Sequence, residues 1–337
     1  MRGLWVTEYT DFDRLSVADD IVLPPLAPKQ LRLRVGAAGV SFATSLIVAG
    51  KYQRKPPLPF APGTECAGEV LECGPEVTRF RPGDRICAAL DWGAMAEEAL
   101  AWEVNCYPIP DTIGFAEATN FNSYATSGAA LTWPHLLNLQ AGETLLVHGA
   151  AGGIGLAGVE IGKILGATVI ATASTPEKRA LATEHGADHV IDYTDGGFRE
   201  AVNEITGGRG ADAILDPVGG DVFDESLRCI ALEGRIAPVG FTSGRAAQIP
   251  ANIVLVKNIT VCGLNMGAYY GWSPKDIRYE MEDRLRALMT RFYDWAAAGD
   301  IRPHVCATFP LEGFREAMAM VLERRSTGRV ALMPNDK

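Results

Sequence analysis

The sequence predicts an α/β protein in which a doubly wound parallel sheet follows a β-rich N-terminal stretch. Three observations predict it. Residues 144–172 read as strand, glycine-crowded turn, helix and strand within about thirty residues, the spacing of a βαβ unit. Residues 176–264 continue to alternate helical and strand-like runs, the pattern of a parallel sheet covered on both faces. Residues 1–122 instead break into short apolar runs separated by Pro- and Gly-rich turns.

Taken in order, the first part holds candidate strands at 3–8, 30–37, 68–73, 85–89 and 94–100. A short helix is expected over 42–48, stopped by Gly50. A helical pattern from Phe115 through Ala118, Phe121, Tyr124 and Ala125 towards Leu131 carries the chain into the second part. There the apolar run Leu145, Leu146 and Val147 is short enough for a buried strand, and a helix begins near Gly153. A strand over 168–172, a helix over 176–185 and a strand over 189–192 follow. Next come a helix over 198–205, a strand over 211–216, a helix over 222–232, a strand over 235–239 and a last strand over 259–264. A long amphipathic run over 274–298, a helix over 311–325 and a strand over 329–333 return the chain to the first part.

The glycine turn defines a dinucleotide site. Gly149, Ala151, Gly152, Gly153, Ile154 and Gly155 are its candidate cofactor-binding residues. A tight turn needs backbone angles that a Cβ disfavours, and a pyrophosphate must approach main-chain N–H groups at the positive end of the following helix. The end of the second strand selects the cofactor. An NAD site usually places a carboxylate there for the ribose 2′-hydroxyl. This chain has Ala173, Ser174 and Thr175, with Lys178 close behind, which suits the 2′-phosphate of NADP. Glu177 falls in the first turn of the next helix, where it complements the helix dipole.

With 337 residues, 47% apolar and 21% charged, the chain has material for two ordinary domains. A net charge of −10 argues against nucleic acid or an anionic membrane as partner. No uncharged apolar run reaches membrane-spanning length, and residues 1–10 lack the apolar core of a signal peptide. The seven cysteines are scattered, without a CxxC pair, which suits reduced thiols in the cytoplasm and removes a four-Cys zinc site. The five histidines are dispersed, and none has a carboxylate or Cys partner at a convincing spacing.

Five segments together resemble the zinc-free NADPH:quinone oxidoreductases of the medium-chain dehydrogenase/reductase superfamily. They are ProGlyThrGluCysAlaGlyGluVal (62–70), GlyAspArg (83–85), HisGlyAlaAlaGlyGlyIleGly (148–155), AlaAspHisValIleAspTyr (187–193) and AspProValGlyGly (216–220). The resemblance implies a GroES-like substrate domain from 1–122 and 266–337, and a Rossmann-like NADP-binding domain from 123–265. It implies that Thr126 lies beside the nicotinamide, that Lys178 and Tyr193 surround the 2′-phosphate with Ser174 at the strand tip, and that Arg325 reaches the same phosphate. The backbones of Gly240, Phe241 and Asn265 would bind the carboxamide side, and Tyr52 would stand at the substrate cleft as the candidate catalytic residue.

The departures from the family are specific. Where zinc alcohol dehydrogenases carry a GlyHisGlu segment with metal-binding His and Glu, this chain has Gly63, Thr64 and Glu65. Threonine is a poor zinc ligand, and no metal is expected. Glu65 is then read as structural. Ser41 and Thr44 replace the Asn and Asp usual in quinone reductases, and Ser41 can still donate one hydrogen bond to the cofactor amide or phosphate.

A site without metal, offering positioning and a hydride donor, suits electron-poor acceptors. The expected substrate is therefore a small quinone or an α,β-unsaturated carbonyl. The aromatic loop over 265–272 is either a wall for a planar substrate or a packing surface. The alternatives are a non-catalytic NADPH-binding sensor and, disfavoured by its missing ligands, a zinc-type alcohol dehydrogenase. The β-prone run over 259–264, placed at a sheet edge without charge or proline, predicts a homodimer.

Overall fold

The protein is described from a computed structural model covering residues 1–194 and 196–336. It divides into two compact units. The first comprises 1–122, 266–294 and 303–337, and the second 123–265 and 295–302. Residues 295–302 thus group with the second unit, whereas the sequence reading gave all of 266–337 to the first.

The second unit is the parallel sheet. Its six strands, numbered by their order in the chain, lie in the spatial order 3-2-1-4-5-6. They are Thr144–Val147, Thr168–Thr172, His189–Ile191, Ala211–Asp216, Ile230–Pro238 and Thr260–Val261. Every pairing is parallel. The first and fourth strands are neighbours, which makes the topological switch point where open α/β sheets bind ligands. The helix Gly153–Ile164 approaches the sheet closely through its glycines. A Cβ at Gly158 would stand 2.5 Å from Leu215 Cδ2, and one at Gly162 would stand 2.7 Å from Leu145 Cδ2.

The first unit is a sheet in which Val305–Pro310, Arg329–Met333, Gln30–Val40, Glu65–Cys73, Arg85–Ala89 and Cys106–Pro108 follow one another, with Glu98–Trp102 also paired to Gln30–Val40. All pairings are antiparallel except that of Val305–Pro310 with Arg329–Met333. Leu4, Leu31, Leu33, Phe60, Ile86, Met95 and Phe314 are among the side chains of its core. The return strand lands where the sequence places it, in register with Val40, Gly39 and Ala38.

Several elements differ from the sequence reading, each for a local reason. The helical run from Phe115 is two helices, Phe115–Ala118 and Phe121–Thr132, because the Thr119 hydroxyl donates to Ala116 O and closes the first. The helix expected over 222–232 ends at Cys229. The fifth strand begins at Ile230 and carries an irregularity opposite Ala211–Ala213, with Glu233 at φ +62°. The last parallel strand contains only Thr260 and Val261, although it does sit at the sheet edge. The first strand stops at Trp5, and 94–100 is replaced by Glu98–Trp102. The helix expected from 274 begins at Glu282, and that of 311–325 is a 3₁₀ turn followed by Phe314–Leu322. The helix Ala251–Lys257 and the strand Val305–Pro310 were not expected.

Candidate active site

The glycine turn occupies the C-terminal end of the first parallel strand. Gly149 has φ +57°, in the left-handed region, and a Cβ there would meet Pro217 and Val218 of the turn after the fourth strand. Gly155 is fixed by crowding: a Cβ would stand 2.2 Å from Gly149 O and 2.6 Å from Ala150 Cα. Gly152 is the N-cap of the helix, in extended conformation and without a side-chain cap bond. The first-turn N–H groups, those of Gly153, Ile154 and Gly155, have no acceptor within the helix. They present the donor array and positive dipole end that an anion fits. Ala151 is buried.

Neighbouring elements are tied to this turn. Ser127 Oγ donates to Ile154 O at 2.7 Å, which fixes the helix bearing half-buried Thr126 against the nucleotide helix. The turns after the fourth and fifth strands are knit by Thr242 N to Pro217 O (3.2 Å) and Ser243 N to Val218 O (3.0 Å). Asp216 Oδ1 accepts from Val218 N and Gly219 N, at 2.7 and 3.0 Å. Burial nevertheless pushes the Asp216 carboxyl above its usual range. Gly240 follows at half exposure, while Phe241 and Asn265 are exposed.

At the end of the second strand, Ser174 is half-buried and Thr175 caps the helix Pro176–Glu184, accepting from Lys178 N at 3.3 Å. Glu177 is exposed, and its own backbone N–H and the Thr175 hydroxyl hold its carboxyl below the usual range, as its helix-terminal reading implies. Lys178 and Tyr193 are both half-buried on this side. One acid was missed. Asp192, just past the third strand, pairs at 2.6 Å with Arg179, which also donates to Ala173 O at 3.4 Å. Hydrogen bonds from the Thr194 hydroxyl and N–H, then Arg179, hold Asp192 ionised. Asp192 directly precedes Tyr193 and follows the third strand, one strand too far for the strand-tip rule to find.

In the same unit one histidine does have a carboxylate partner, contrary to what the dispersed spacing implies. His185 Nδ1 lies 2.7 Å from Glu160 Oε1, and both residues are buried. Tyr124 donates to Glu160 Oε2 at 2.5 Å, and Arg302 N donates to Oε1 at 3.0 Å. Glu160 and His185 are 25 residues apart and meet only through tertiary packing, so local spacing does not reveal them. His148 is also buried, between Thr172 Oγ1 and Ser226 Oγ at 3.0 and 2.8 Å, and burial lowers its pKa to about 3. It is therefore a neutral structural ring.

In the first unit, Ser41 is the N-cap of the helix Phe42–Val48. Its Oγ lies 3.1 Å from Thr44 Oγ1 and accepts from Thr44 N at 3.4 Å. Tyr52 is half-buried, and burial, followed by the charge of Glu65, raises its hydroxyl pKa. Glu65 Oε1 accepts from Arg329 Nη2 at 2.6 Å, and Oε2 accepts from Asn122 Nδ2 at 2.5 Å. This buried pair gives Glu65 the structural place the sequence reading assigned to it. Arg325 is exposed and paired with Glu316 and Glu323, at 3.0 and 2.7 Å. Among the described residues no group of three His, Cys, Asp or Glu is placed to hold a metal ion. A groove of about 630 Å³ lies elsewhere, lined by Arg79, Phe80, Arg85, Tyr107 and Arg286 among others, and no predicted site residue borders it.

Two family descriptions match the chain, "Alcohol dehydrogenase GroES-like domain" over residues 27–111, within the first unit, and "Zinc-binding dehydrogenase" over 153–285, which takes in most of the second unit and runs on into the first. Over 322 residues the chain is 41% identical to the quinone oxidoreductase-like protein 2 homolog of Nematostella vectensis, covering 94% of this chain and 85% of that protein. The chain belongs to the quinone oxidoreductases of the medium-chain dehydrogenase/reductase superfamily. Solved members of these quinone oxidoreductases have the same fold. The Escherichia coli quinone oxidoreductase complexed with NADPH superposes with a TM-score of 0.88 at 26% identity, over 99% of this chain and 100% of that one. A mycobacterial protein complexed with NADPH gives 0.89 at 29% identity, with the same coverage. The GroES-like and Rossmann-like architecture implied by the sequence is therefore the family's own, and an oxidoreductase activity comes with it.

Proposed function

We propose that the protein is an NADPH-dependent reductase of quinones or α,β-unsaturated carbonyls that works without a metal. The observation carrying this reading is the pairing of a dinucleotide turn with a donor set unsuited to zinc. Thr64 stands at the metal-binding His position, and the neighbouring Glu65 is taken up by Arg329 and Asn122. Bound NADPH supplies a hydride. The turn from Gly149 to Gly155 holds the pyrophosphate, and Ser174, Lys178, Tyr193 and Arg325 hold the 2′-phosphate. Thr126, Ser41 and the backbones of Gly240, Phe241 and Asn265 orient the nicotinamide. Tyr52 retains its proton at neutral pH and donates a hydrogen bond to the acceptor oxygen, where negative charge develops. The aromatic segment 269–272 excludes water from a planar acceptor.

The test is an acceptor panel with 1,4-benzoquinone and a simple enone, run with NADPH and NADH in parallel and with a chelator. Turnover with NADPH that the chelator leaves intact is expected. Lys178→Ala should lower NADPH affinity roughly tenfold and leave NADH unchanged, because a charge-assisted phosphate contact contributes about 1.5–3 kcal/mol. Equal losses for both cofactors would remove Lys178 from the phosphate site. A second reading, a non-catalytic NADPH sensor, is favoured by the Ser41 oxygen being engaged as a helix cap. Tight NADPH binding with no turnover would select it.

The same reading includes a homodimer joined at the edge strand Thr260–Val261, in a reducing cytoplasm suited to seven unpaired cysteines. Cys262 N donates inward to Ile236 O, so strand alternation turns Val261 N–H to the open edge. Nearby, Leu255 and Val256 are 75% and 73% exposed, more than isolated surface residues of this size warrant. Val261→Pro removes an outward donor while leaving the inner ladder intact, and is expected to give monomers in light scattering. Unchanged dimers, or a wild-type monomer at micromolar concentration, would exclude this interface.

A further inference from the structure

We propose that Asp91 is a positioning residue for the acceptor side of the site, holding three segments of the first unit in one arrangement. Its carboxylate accepts from Arg54 Nη1 at 2.9 Å, from Trp102 Nε1 at 3.1 Å and from Arg278 Nη2 at 3.1 Å. Arg54 lies two residues beyond Tyr52, and its guanidinium also covers the ring of Trp92 at 5.4 Å. Arg278 ends the segment that follows the aromatic loop. Its side chain is only 5% exposed, and its guanidinium stacks over Trp102 at 5.4 Å. The loop is built around that guanidinium. At Gly271, with φ +92°, a Cβ would stand 2.3 Å from Arg278 Nη2 and 2.4 Å from Nε, so any side chain there would displace the cation.

The charge balance makes Asp91 the dominant contact. Asp276 is the other acid on Arg278, at 2.8 Å, but its side chain is 51% exposed, whereas that of Asp91 is 19% exposed. Solvent screens the first pair more than the second. Arg278 Nη1 is buried with no acceptor, so the cation has no surplus of partners to replace Asp91. Loss of the Asp91 carboxylate therefore releases the Tyr52–Arg54 segment and the 269–278 segment together. Neither change touches the glycine turn, which belongs to the other unit.

This inference rests on the proposed acceptor role of Tyr52 and the aromatic loop, and two readouts keep it separable from that role. In steady-state assays with 1,4-benzoquinone and a larger naphthoquinone, Asp91→Ala is expected to raise KM about tenfold or more, with a smaller change in kcat and unchanged NADPH affinity. Asp91→Glu should recover part of the loss, since it restores a carboxylate at greater reach. In limited trypsinolysis, which needs no turnover, cleavage after Arg54, Lys275 and Arg278 should become at least about fivefold faster in Asp91→Ala, as released segments open more often. Unchanged KM values together with unchanged cleavage would overturn the proposal. Altered cleavage in a protein that reduces no acceptor at all would keep the positioning role and refute the proposed activity instead.

Discussion

Arg329→Met is expected to lower the unfolding free energy by about 3–5 kcal/mol, the usual loss when one partner of a buried ion pair is removed. The side chains of Glu65 and Arg329 are 6% and 7% exposed, so water screens neither. Arg329 Nη2 bonds both Glu65 Oε1, at 2.6 Å, and Thr119 O, at 2.5 Å. Without the cation, Glu65 keeps only the amide of Asn122 and must be buried as a lone charge or take up a proton. Surrounding residues cannot close the gap cheaply, since Gly39 already lacks a side chain to admit the pair. A Cβ there would stand 2.8 Å from Glu65 Oε1 and 2.9 Å from Arg329 Cζ. Urea denaturation of Arg329→Met, Glu65→Gln and the double variant checks this. The double variant should lose less than the sum of the singles, because it leaves no unpaired charge. A loss under about 1 kcal/mol for Arg329→Met would place the pair among ordinary surface ion pairs.

Gly155→Ala is expected to abolish useful NADPH affinity, by about a hundredfold or more, while the first unit stays folded. The added methyl would face Gly149 O at 2.2 Å, Ala150 Cα at 2.6 Å and Gly149 C at 2.8 Å. All three are backbone atoms of the glycine turn proposed to hold the phosphates, so relief requires moving the turn itself. A displacement of even about 1 Å misaligns N–H donors that must converge on one pyrophosphate, and about 2.7 kcal/mol of lost binding is a hundredfold. Gly152 supplies the comparison. Its added Cβ would meet protein only at Gly149 O, 3.4 Å away. A Gly152→Ala variant with unchanged melting temperature and weakened NADPH binding would therefore report crowding of the phosphate from outside. Fluorescence titration with NADPH reads both variants. Wild-type affinity in Gly155→Ala would rule out this turn as the cradle.

The elements legible in the sequence are those whose boundaries are set locally. The strands Arg85–Ala89, Thr168–Thr172, Ala211–Asp216 and Arg329–Met333 and the helices Phe42–Val48 and Phe198–Ile205 fall where periodicity and turn residues place them. Gly50, at φ +65°, stops the first of those helices as expected. Elements defined by a partner were not legible. Val305–Pro310 becomes a strand by lying beside Arg329–Met333, and its own residues alternate poorly because few of them face a core. Ala251–Lys257 has no buried residue and so carries no amphipathic signature.

The site divides along the same line. The glycine turn and the missing strand-tip acid are local patterns and could be read directly. Glu160 with His185, and Asp91 with Arg278, are separated by 25 and 187 residues, and their pairing follows only from the folded sheet. Asp192 fell between these cases, close in sequence but carried by the wrong strand for the strand-tip rule.

The placement of Arg329–Met333 has a consequence for how the chain emerges from a ribosome. That segment lies between Gln30–Val40 and Val305–Pro310, inside the sheet and not at its rim. Gln30–Val40 is made early yet waits for almost three hundred residues of synthesis before this neighbour exists. The parallel sheet, by contrast, is drawn from one nearly continuous stretch and can assemble during translation, whereas the first unit, drawn from segments on either side of it in the sequence, closes only when the last of them is made. Glu98–Trp102 already covers residues 30–34 of that edge, so until then only the stretch Ala38–Val40 is left open in the nascent chain, and that interval is when a holdase would have most to protect.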